Sequence, residues 1–154
     1  MTQFDAVSQL VTALQSDPDV LIYGQNIATA IVDGPANHCA ATLSALLVFV
    51  RVFPNGGGTG NSDLQPWVPT LAFDLEKRRG WQRIEIGSPI KSCDVGVVIL
   101  TSGVHHIYLV VDATNQALPL IADNQAPSLH VRAVAGDPAH SWSPTTFFLR
   151  PPNS

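Results

Sequence analysis

Apolar residues in the first part of the chain recur every three to four positions, which is the spacing of one helix face. This pattern predicts an amphipathic helix over residues 3 to 15, and the Asp-Pro-Asp sequence at 17 to 19 ends it. The short apolar run at 20 to 23 fits either a strand or the start of another helix. The Asp-Gly-Pro sequence at 33 to 35 indicates a turn that leads into the next element.

The next apolar run, up to residue 50, predicts a buried helix with a cysteine in its first turn. The residues that share one face of this helix are Cys39, Leu43, Leu46 and Val50. The helix dipole and the unpaired N–H groups of a first turn favour a thiolate, which is the reactive form of cysteine. Cys39 is therefore a candidate nucleophile. The same position equally suits an inert core cysteine, because free cysteines are commonly buried as small hydrophobes.

A glycine-rich segment and another helix follow. Residues 54 to 62 predict a surface loop that lacks the lysine of a phosphate-binding loop and better suits a cover over a substrate groove. The Pro-Trp-Val-Pro sequence at 66 to 69 opens a helix that turns Leu71 and Leu75 inward. This helix ends at the Lys-Arg-Arg sequence at 77 to 79, and Gly80 is its C′ residue.

The second half of the chain has the pattern of strands. Apolar, β-branched runs between short turns predict strands at 95 to 100, 106 to 111, 117 to 122, 131 to 134 and 146 to 150. Consecutive strands joined by short turns form antiparallel sheets. Because helices come first and strands second, we expect an α+β fold, with N-terminal helices packed on an antiparallel β-sheet.

The composition fits one folded unit. The chain has 154 residues, of which 45% are hydrophobic and 13% are charged. We expect a single catalytic domain over residues 1–154, helical to about residue 80, with the sheet from about 94 to 150. The net charge of −4 and the lack of a basic run argue against a nucleic-acid partner. The longest apolar run is too short for a membrane span.

The cysteines and the N-terminus bear on disulfide bonds, cofactors and cellular location. Cys39 and Cys93 are too few for a disulfide framework, although a single disulfide between them would rule out a reactive thiol. The Cys and His spacing matches no metal motif, so we expect neither a metal nor an organic cofactor. The acidic N-terminus lacks a secretory signal. We therefore expect synthesis in the cytoplasm, with any export by a specialised secretion system or by lysis.

A cysteine nucleophile needs a base, and the base needs an orienting group. His105 and His106 lie where a turn leads into a predicted strand, and alternation along the strand points them to opposite faces. If His106 packs inward, toward the cysteine helix, Tyr108 and Val110 share its side. Only one of the two histidines can face that helix.

Two polar residues supply candidates for the orienting group. Asp123 and Asn124 end the next predicted strand, beside the start of the histidine strand if the two strands form a hairpin. A side-chain oxygen at that position can fix the imidazole tautomer. The cysteine, the histidine and the Asn or Asp therefore follow in an order that permits one site.

Three segments resemble motifs of the papain-like cysteine peptidases of the NlpC-like and CHAP-like kind. Residues 37 to 44 (Asn-His-Cys-Ala-Ala-Thr-Leu-Ser) are similar to the family's helix with cysteine at its N-terminus. Residues 92 to 98 resemble its "GDV" strand, and residues 106 to 111 resemble its "HVGIVV" strand. The likeness covers roughly residues 35 to 150.

The resemblance implies the site residues and their chemistry. It makes Cys39 the nucleophile and His106, rather than His105, the base. It makes Asn124 the third residue, with Asp123 as the close alternative. The implied reaction is amide hydrolysis through a thioester without a cofactor, in which the backbone N–H of Cys39 helps to bind the oxyanion.

The chain departs from the family pattern at two positions. Cys93 stands where glycine is usual, and Tyr108 stands where a small residue follows the His-Ile pair. These departures imply a narrowed site or a divergent subfamily.

The resemblance also implies a substrate class, because many members of the family cut peptidoglycan stem peptides. We expect a cysteine amidase or endopeptidase acting on peptidoglycan stem peptides or cross-links, as an exported antibacterial effector or a phage-type lysin. An effector would need an immunity protein as a partner in the producing cell. Two alternatives stay open, because a fold does not imply a function. They are a catalytically inert papain-like binding module and a cysteine acyltransferase on the same scaffold.

Overall fold

The computed structural model describes residues 1–32, 38–55 and 63–153, and helices occupy the first half of this part of the chain. Thr2 begins the first helix with a capping box, in which its side chain and that of Asp5 each accept a hydrogen bond from the other's backbone N–H. The helices are α1 (Gln3–Ser16), α2 (Pro18–Ile31), α3 (His38–Phe49) and α4 (Val68–Phe73), and α4 continues as a π-helix over Asp74–Arg78.

The second half forms one antiparallel sheet. Its strands are β1 (Gln82–Glu85), β2 (Val95–Val98), β3 (His106–Asp112), β4 (Leu120–Ala122), β5 (His130–Val131) and β6 (Phe147–Arg150). Their order across the sheet is β1-β6-β2-β3-β4-β5. The last strand, β6, therefore lies between the first two, and β2 and β3 lie at the centre. Every residue of β3 except its last is buried.

The two faces of the sheet have different covers. Ile107, Leu109 and Val111 of β3 point into the core that the helices share. α3 is apolar on all sides, which fits its place between α2 and β3. The opposite face has a second cluster that contains no residue of the described helices. Its buried members are Ile84, Ile90, Tyr108, Val110, Ile121 and Phe148.

The α+β class and the antiparallel sheet are confirmed. The ambiguous run at 20 to 23 is helical and lies inside α2, which Pro18 opens and the Asp17 side chain caps. The strand β1 was not predicted, because only Ile84 of its four residues is buried. The predicted turn at 33 to 35 and residues 56 to 62 of the predicted glycine-rich loop lie outside the described residues.

Candidate active site

The thiol of Cys39 is held in the second position of α3, where it is almost completely buried. The residue is 6% exposed. Burial raises the pKa of the Cys39 thiol, and the backbone N–H groups of Ile107, Ala40 and Cys39 itself oppose that rise only in part. The helix start thus favours the thiolate, as predicted, but burial outweighs it. The resting thiol is therefore neutral near pH 7.

The candidate base and a buried carboxylate form a hydrogen-bonded pair. His106 opens β3 and Asp123 directly follows β4, and the pairing of these strands brings the two side chains together. Nε2 of His106 lies 2.8 Å from Oδ2 of Asp123, whose side chain is fully buried. An ionised carboxylate only accepts hydrogen bonds, so Nε2 carries the proton and Nδ1 is the basic nitrogen. Nδ1 of His106 has no hydrogen-bond partner among the described residues.

The same carboxylate holds a second histidine, which sequence analysis did not identify as a site residue. Nε2 of His130 donates to Oδ1 of Asp123 at 2.8 Å, and Nδ1 of His130 faces the carbonyl oxygen of Val131 at 3.3 Å. The hydrogen bond to Asp123 raises the pKa of His130. Burial alone would raise the pKa of Asp123. The hydrogen bonds and charges of His106 and His130 outweigh burial and hold that pKa well below its usual range.

Backbone and helix contacts fix the segment that carries Asp123. The N–H of Gln125 donates to Oδ1 of Asp123 at 2.9 Å. From α2, the side-chain amide of Gln25 donates to the carbonyl oxygens of Asp123 and Ala126, at 2.9 and 2.7 Å. The carboxylate is therefore held through both its side chain and its backbone.

The thiol and the candidate base are neighbours, but they are not joined in the resting structure. The backbone N–H that faces the thiol belongs to Ile107, the residue after His106. In the described part of the chain, no hydrogen bond joins the Cys39 thiol to the ring of His105 or His106. Ile107 is the residue that faces α3, whereas His106 stacks on Tyr108 with ring centroids 6.2 Å apart. His106 and Tyr108 therefore share the face of β3 that points away from the helices. This is the opposite of the arrangement considered from the sequence, in which His106 packs toward the cysteine helix.

The structure brings Asp123, and not Asn124, to the candidate base. Side chains alternate along a strand, so Asp123 continues the face of Ile121, which is also the face of Tyr108. Asn124 points elsewhere, and its Oδ1 is buried without a hydrogen-bond partner in the described chain. Of the two residues considered from the sequence, Asp123 contacts His106, whereas Asn124, which the resemblance favoured, makes no hydrogen bond through its Oδ1.

A small cavity lies beside the candidate base. Its volume is about 80 Å³, and its walls include His105, His106, Arg132 and Trp142. Outside it, the ring of Trp67 meets the ring of His105 edge-on, with centroids 5.7 Å apart. Aromatic rings therefore lie on more than one side of the histidine pair. A larger apolar pocket of about 830 Å³ elsewhere in the molecule contains none of the candidate residues.

The segment that resembles the "GDV" motif supports the sheet. Asp94 is fully buried, and its carboxylate accepts hydrogen bonds from the guanidinium of Arg150 at 2.8 and 2.7 Å. Cys93 has a φ of +80°, in the left-handed region that favours glycine. Cys93 therefore adopts a backbone conformation that is disfavoured for a residue with a Cβ atom. Cys39 and Cys93 are both free thiols.

Within residues 1–32, 38–55 and 63–153, no three His, Cys, Asp or Glu side chains are grouped as metal ligands would be. None of the helices described is both long enough and apolar enough to cross a bilayer. Comparison of the chain with family models, with curated proteins and with solved structures finds no match. A function can therefore be proposed only from the chemistry of the site and the motifs of the chain.

Proposed function

We propose that the protein is a papain-like cysteine hydrolase in which Cys39 attacks an amide carbonyl. The observation that carries the proposal is the buried His106–Asp123 pair. The residue after His106, Ile107, points its backbone N–H at the thiol of Cys39. Asp123 fixes the tautomer that leaves Nδ1 of His106 free as a base. Titratable groups with strongly shifted pKa values concentrate at functional sites, and the pKa of Asp123 is such a case.

The proposed reaction begins with proton transfer from Cys39 to Nδ1 of His106, because burial keeps the resting thiol neutral. The sulfur then forms a bond to the carbonyl carbon, and the backbone N–H of Cys39 donates to the oxyanion. His106 returns the proton to the leaving amine as the C–N bond breaks, and water hydrolyses the remaining thioester with His106 as base. Asp123 stabilises the imidazolium in both halves of the reaction.

This mechanism requires the sulfur of Cys39 to come within hydrogen-bond range of Nδ1 of His106 when substrate binds. Catalytic hydrogen bonds are often long in the free enzyme and tighten only in the substrate complex. The thiol already faces the backbone of the residue next to His106, so the change needed is local.

The proposed substrate is an amide bond in a peptidoglycan stem peptide or cross-link. The three motifs of the chain support this class, and aromatic side chains such as Trp67 and Trp142 beside the histidines suit peptide or sugar groups. Action on a cell wall fits an exported antibacterial effector or a phage-type lysin. In the first case an immunity protein would be a partner of this protein.

Digestion of purified peptidoglycan tests the proposal. Wild type, Cys39→Ala and Cys93→Ala are incubated with peptidoglycan, and the soluble fragments are identified by mass spectrometry. Cys93→Ala is the matched control, because it removes the other buried free thiol. We expect the same new fragments from wild type and Cys93→Ala and none from Cys39→Ala. Identical fragments from wild type and Cys39→Ala would exclude Cys39 as the nucleophile.

A catalytically inert binding module is the second candidate function. Two observations favour it: burial raises the pKa of Cys39, and no hydrogen bond joins its thiol to His106 in the described structure. This candidate predicts that wild type sediments with peptidoglycan but releases no fragment. The acyltransferase alternative predicts a different product, in which added glycinamide is acylated through the thioester in a reaction that needs Cys39.

A further inference from the structure

Arg132 is a buried cation that forms no ion pair with any carboxylate among the described residues. The residue is 1% exposed. Its guanidinium donates to neutral acceptors, which are Oε1 of Gln125 at 3.3 Å, the carbonyl oxygen of Ser143 at 3.2 Å and the hydroxyl of Tyr108. Nε of Arg132 has no hydrogen-bond partner in the described chain. A buried charge is costly unless it is paired, so this one calls for an anionic partner.

Two aromatic rings lie beside the guanidinium of Arg132. Its central carbon lies 5.4 Å from the ring centroid of Tyr108 and 5.2 Å from that of Trp142. Both distances lie within the range of cation–π contacts, which stabilise the charged guanidinium. A guanidinium is planar and presents a fork of N–H groups that matches the two oxygens of a carboxylate.

Arg132 and His106 line the same cavity of about 80 Å³. The space is large enough for a few waters or for one small group such as a carboxylate. The charge of Asp123 favours the charged form of Arg132, but its oxygens accept hydrogen bonds from His106, His130 and the N–H of Gln125, and it forms no ion pair with the guanidinium.

We propose that Arg132 binds a carboxylate of the substrate on the side of the leaving amine. The assignment of a leaving side rests on the proposed function, in which His106 gives its proton to the leaving amine. The cavity that His106 shares with Arg132 therefore receives the part of the substrate attached to that amine, and Cys39 is not among the cavity's lining residues. The substrate class is an amide whose amine carries a free carboxylate, such as the last peptide bond of a chain.

A binding experiment tests the carboxylate site without any turnover. The Nε–H resonances of the arginines are followed by NMR in Cys39→Ala during titration with N-acetylglycine or with uncharged N-acetylglycinamide. We expect a saturable shift of the Arg132 resonance with the acid only. The Nε–H groups of Arg83 and Arg150, which already donate to Glu76 and Asp94, serve as internal controls. No shift of Arg132, or the same shift with both compounds, would overturn the proposal.

A kinetic experiment tests what the site does in catalysis. Two peptides are compared that differ only in a free carboxylate or an amide on the residue released with the leaving amine. We expect wild type to favour the acid at least tenfold in kcat/KM and Arg132→Gln to lose this preference, so that its loss of kcat/KM is at least tenfold larger for the acid than for the amide peptide. Equal loss for both peptides would show that Arg132 only supports the fold.

The two experiments separate the two proposals. If Cys39 cuts no peptide but the Arg132 resonance responds to the acid, the hydrolase proposal fails and the anion site stands. If peptides are cut without preference and the resonance does not respond, the anion site fails and the hydrolase proposal stands.

Discussion

At the scale of single residues, the carboxylate of Asp123 sets the protonation of the candidate site. It accepts hydrogen bonds from two histidine rings, each at 2.8 Å. The bond from Nε2 leaves Nδ1 of His106 as the basic nitrogen, which a thiol proton would need. We therefore propose Asp123 as the orienting residue. Asn124 does not suit this role, because its Oδ1 makes no hydrogen bond in the described chain.

Replacement of Asp123 by Asn tests whether Asp123, rather than Asn124, orients His106. An amide has one acceptor oxygen and an NH2 group, so Asp123→Asn cannot accept from both histidines, and one ring must change its tautomer or lose its partner. We expect kcat/KM for an amide substrate to fall about 10²–10⁴-fold. The control, Asn124→Ala, should stay within about threefold of wild type, since it removes no contact to His106. Equal losses in both variants would contradict the role assigned to Asp123.

Cys93 gives a prediction about backbone strain. Its φ of +80° is disfavoured for a residue with a Cβ atom, and the side chain is buried. Cys93→Gly and Cys93→Ala both remove the thiol, but only the first removes the Cβ atom. We expect Cys93→Gly to have the larger free energy of unfolding by about 1 kcal/mol, measured by urea denaturation. If Cys93→Ala is equally stable, the left-handed backbone conformation is not retained.

At the scale of elements, β2 and β3 can pair side by side because a glycine of β2 lies opposite an aromatic residue of β3. Gly96 and Tyr108 are directly opposite in the antiparallel register. A Cβ atom on Gly96 would lie 2.1 Å from the Tyr108 ring, which is held by a hydrogen bond of 2.7 Å between its hydroxyl and the Thr145 hydroxyl. Gly96 therefore makes the space that Tyr108 needs, which is why a large residue is tolerated next to the candidate base.

This fit predicts a strong coupling between the two positions. Gly96→Ala should lower the free energy of unfolding by about 1–3 kcal/mol, because a buried, bonded ring cannot yield without strain. The cost should be smaller in the Tyr108→Val background, where the space is free. A double-mutant cycle by urea denaturation measures the difference. Additive effects would mean that Gly96 and Tyr108 do not compete for space.

The elements that were predictable from the sequence are those with a strong local pattern. The periodic apolar residues of α1 and the apolar run of β3 are both visible without any knowledge of the fold. The insertion of β6 between β1 and β2 is not, because it depends on pairing between strands that are far apart in the chain. His130 could not be identified from the sequence for the same reason, because it reaches Asp123 only through the pairing of β5 with β4.

At the scale of the whole molecule, the site depends on how far α3 and the sheet bury its groups. The sequence indicates a thiol at a helix start, which by itself favours the thiolate. It does not indicate that burial outweighs this effect and raises the pKa of Cys39. The order of Cys39, His106 and Asp123 was predictable, but the distances among them and the cavity next to Arg132 depend on tertiary packing.

The cluster of His106, Asp123 and His130 joins β3, β4 and β5 and should make stability depend on pH. The pKa of Asp123 is below its ordinary value of 3.8, so its contribution is present above about pH 4 and is lost as the pH falls. The pKa of His130 is above its ordinary value of 6.5, so its contribution is present below about pH 6.5 and is lost as the pH rises through the raised pKa.

We therefore expect the stabilisation from this cluster, and with it the melting temperature, to be highest between about pH 4 and about pH 6.5. Thermal unfolding followed by circular dichroism across this range and beyond it gives the profile. Asp123→Asn should flatten the fall on both sides, because the raised pKa of His130 depends on Asp123, whereas His130→Gln should flatten mainly the fall on the alkaline side. Profiles parallel to that of wild type in both variants would show that other groups control the pH dependence.

The alkylation rate of Cys39 as a function of pH tests most directly whether His106 activates the thiol. Wild type and His106→Gln are treated with iodoacetamide, and labelling of each cysteine is followed by mass spectrometry. Cys93 is the internal control, because it is also buried and burial raises the pKa of its thiol. We predict that at pH 7 Cys39 of wild type reacts about tenfold faster, or more, than Cys93 and than Cys39 of His106→Gln, because the reagent reacts with Cys39 from the arrangement in which His106 takes the thiol proton and not from the resting one. Equal rates for Cys39 in the two proteins at every pH would contradict the proposed mechanism.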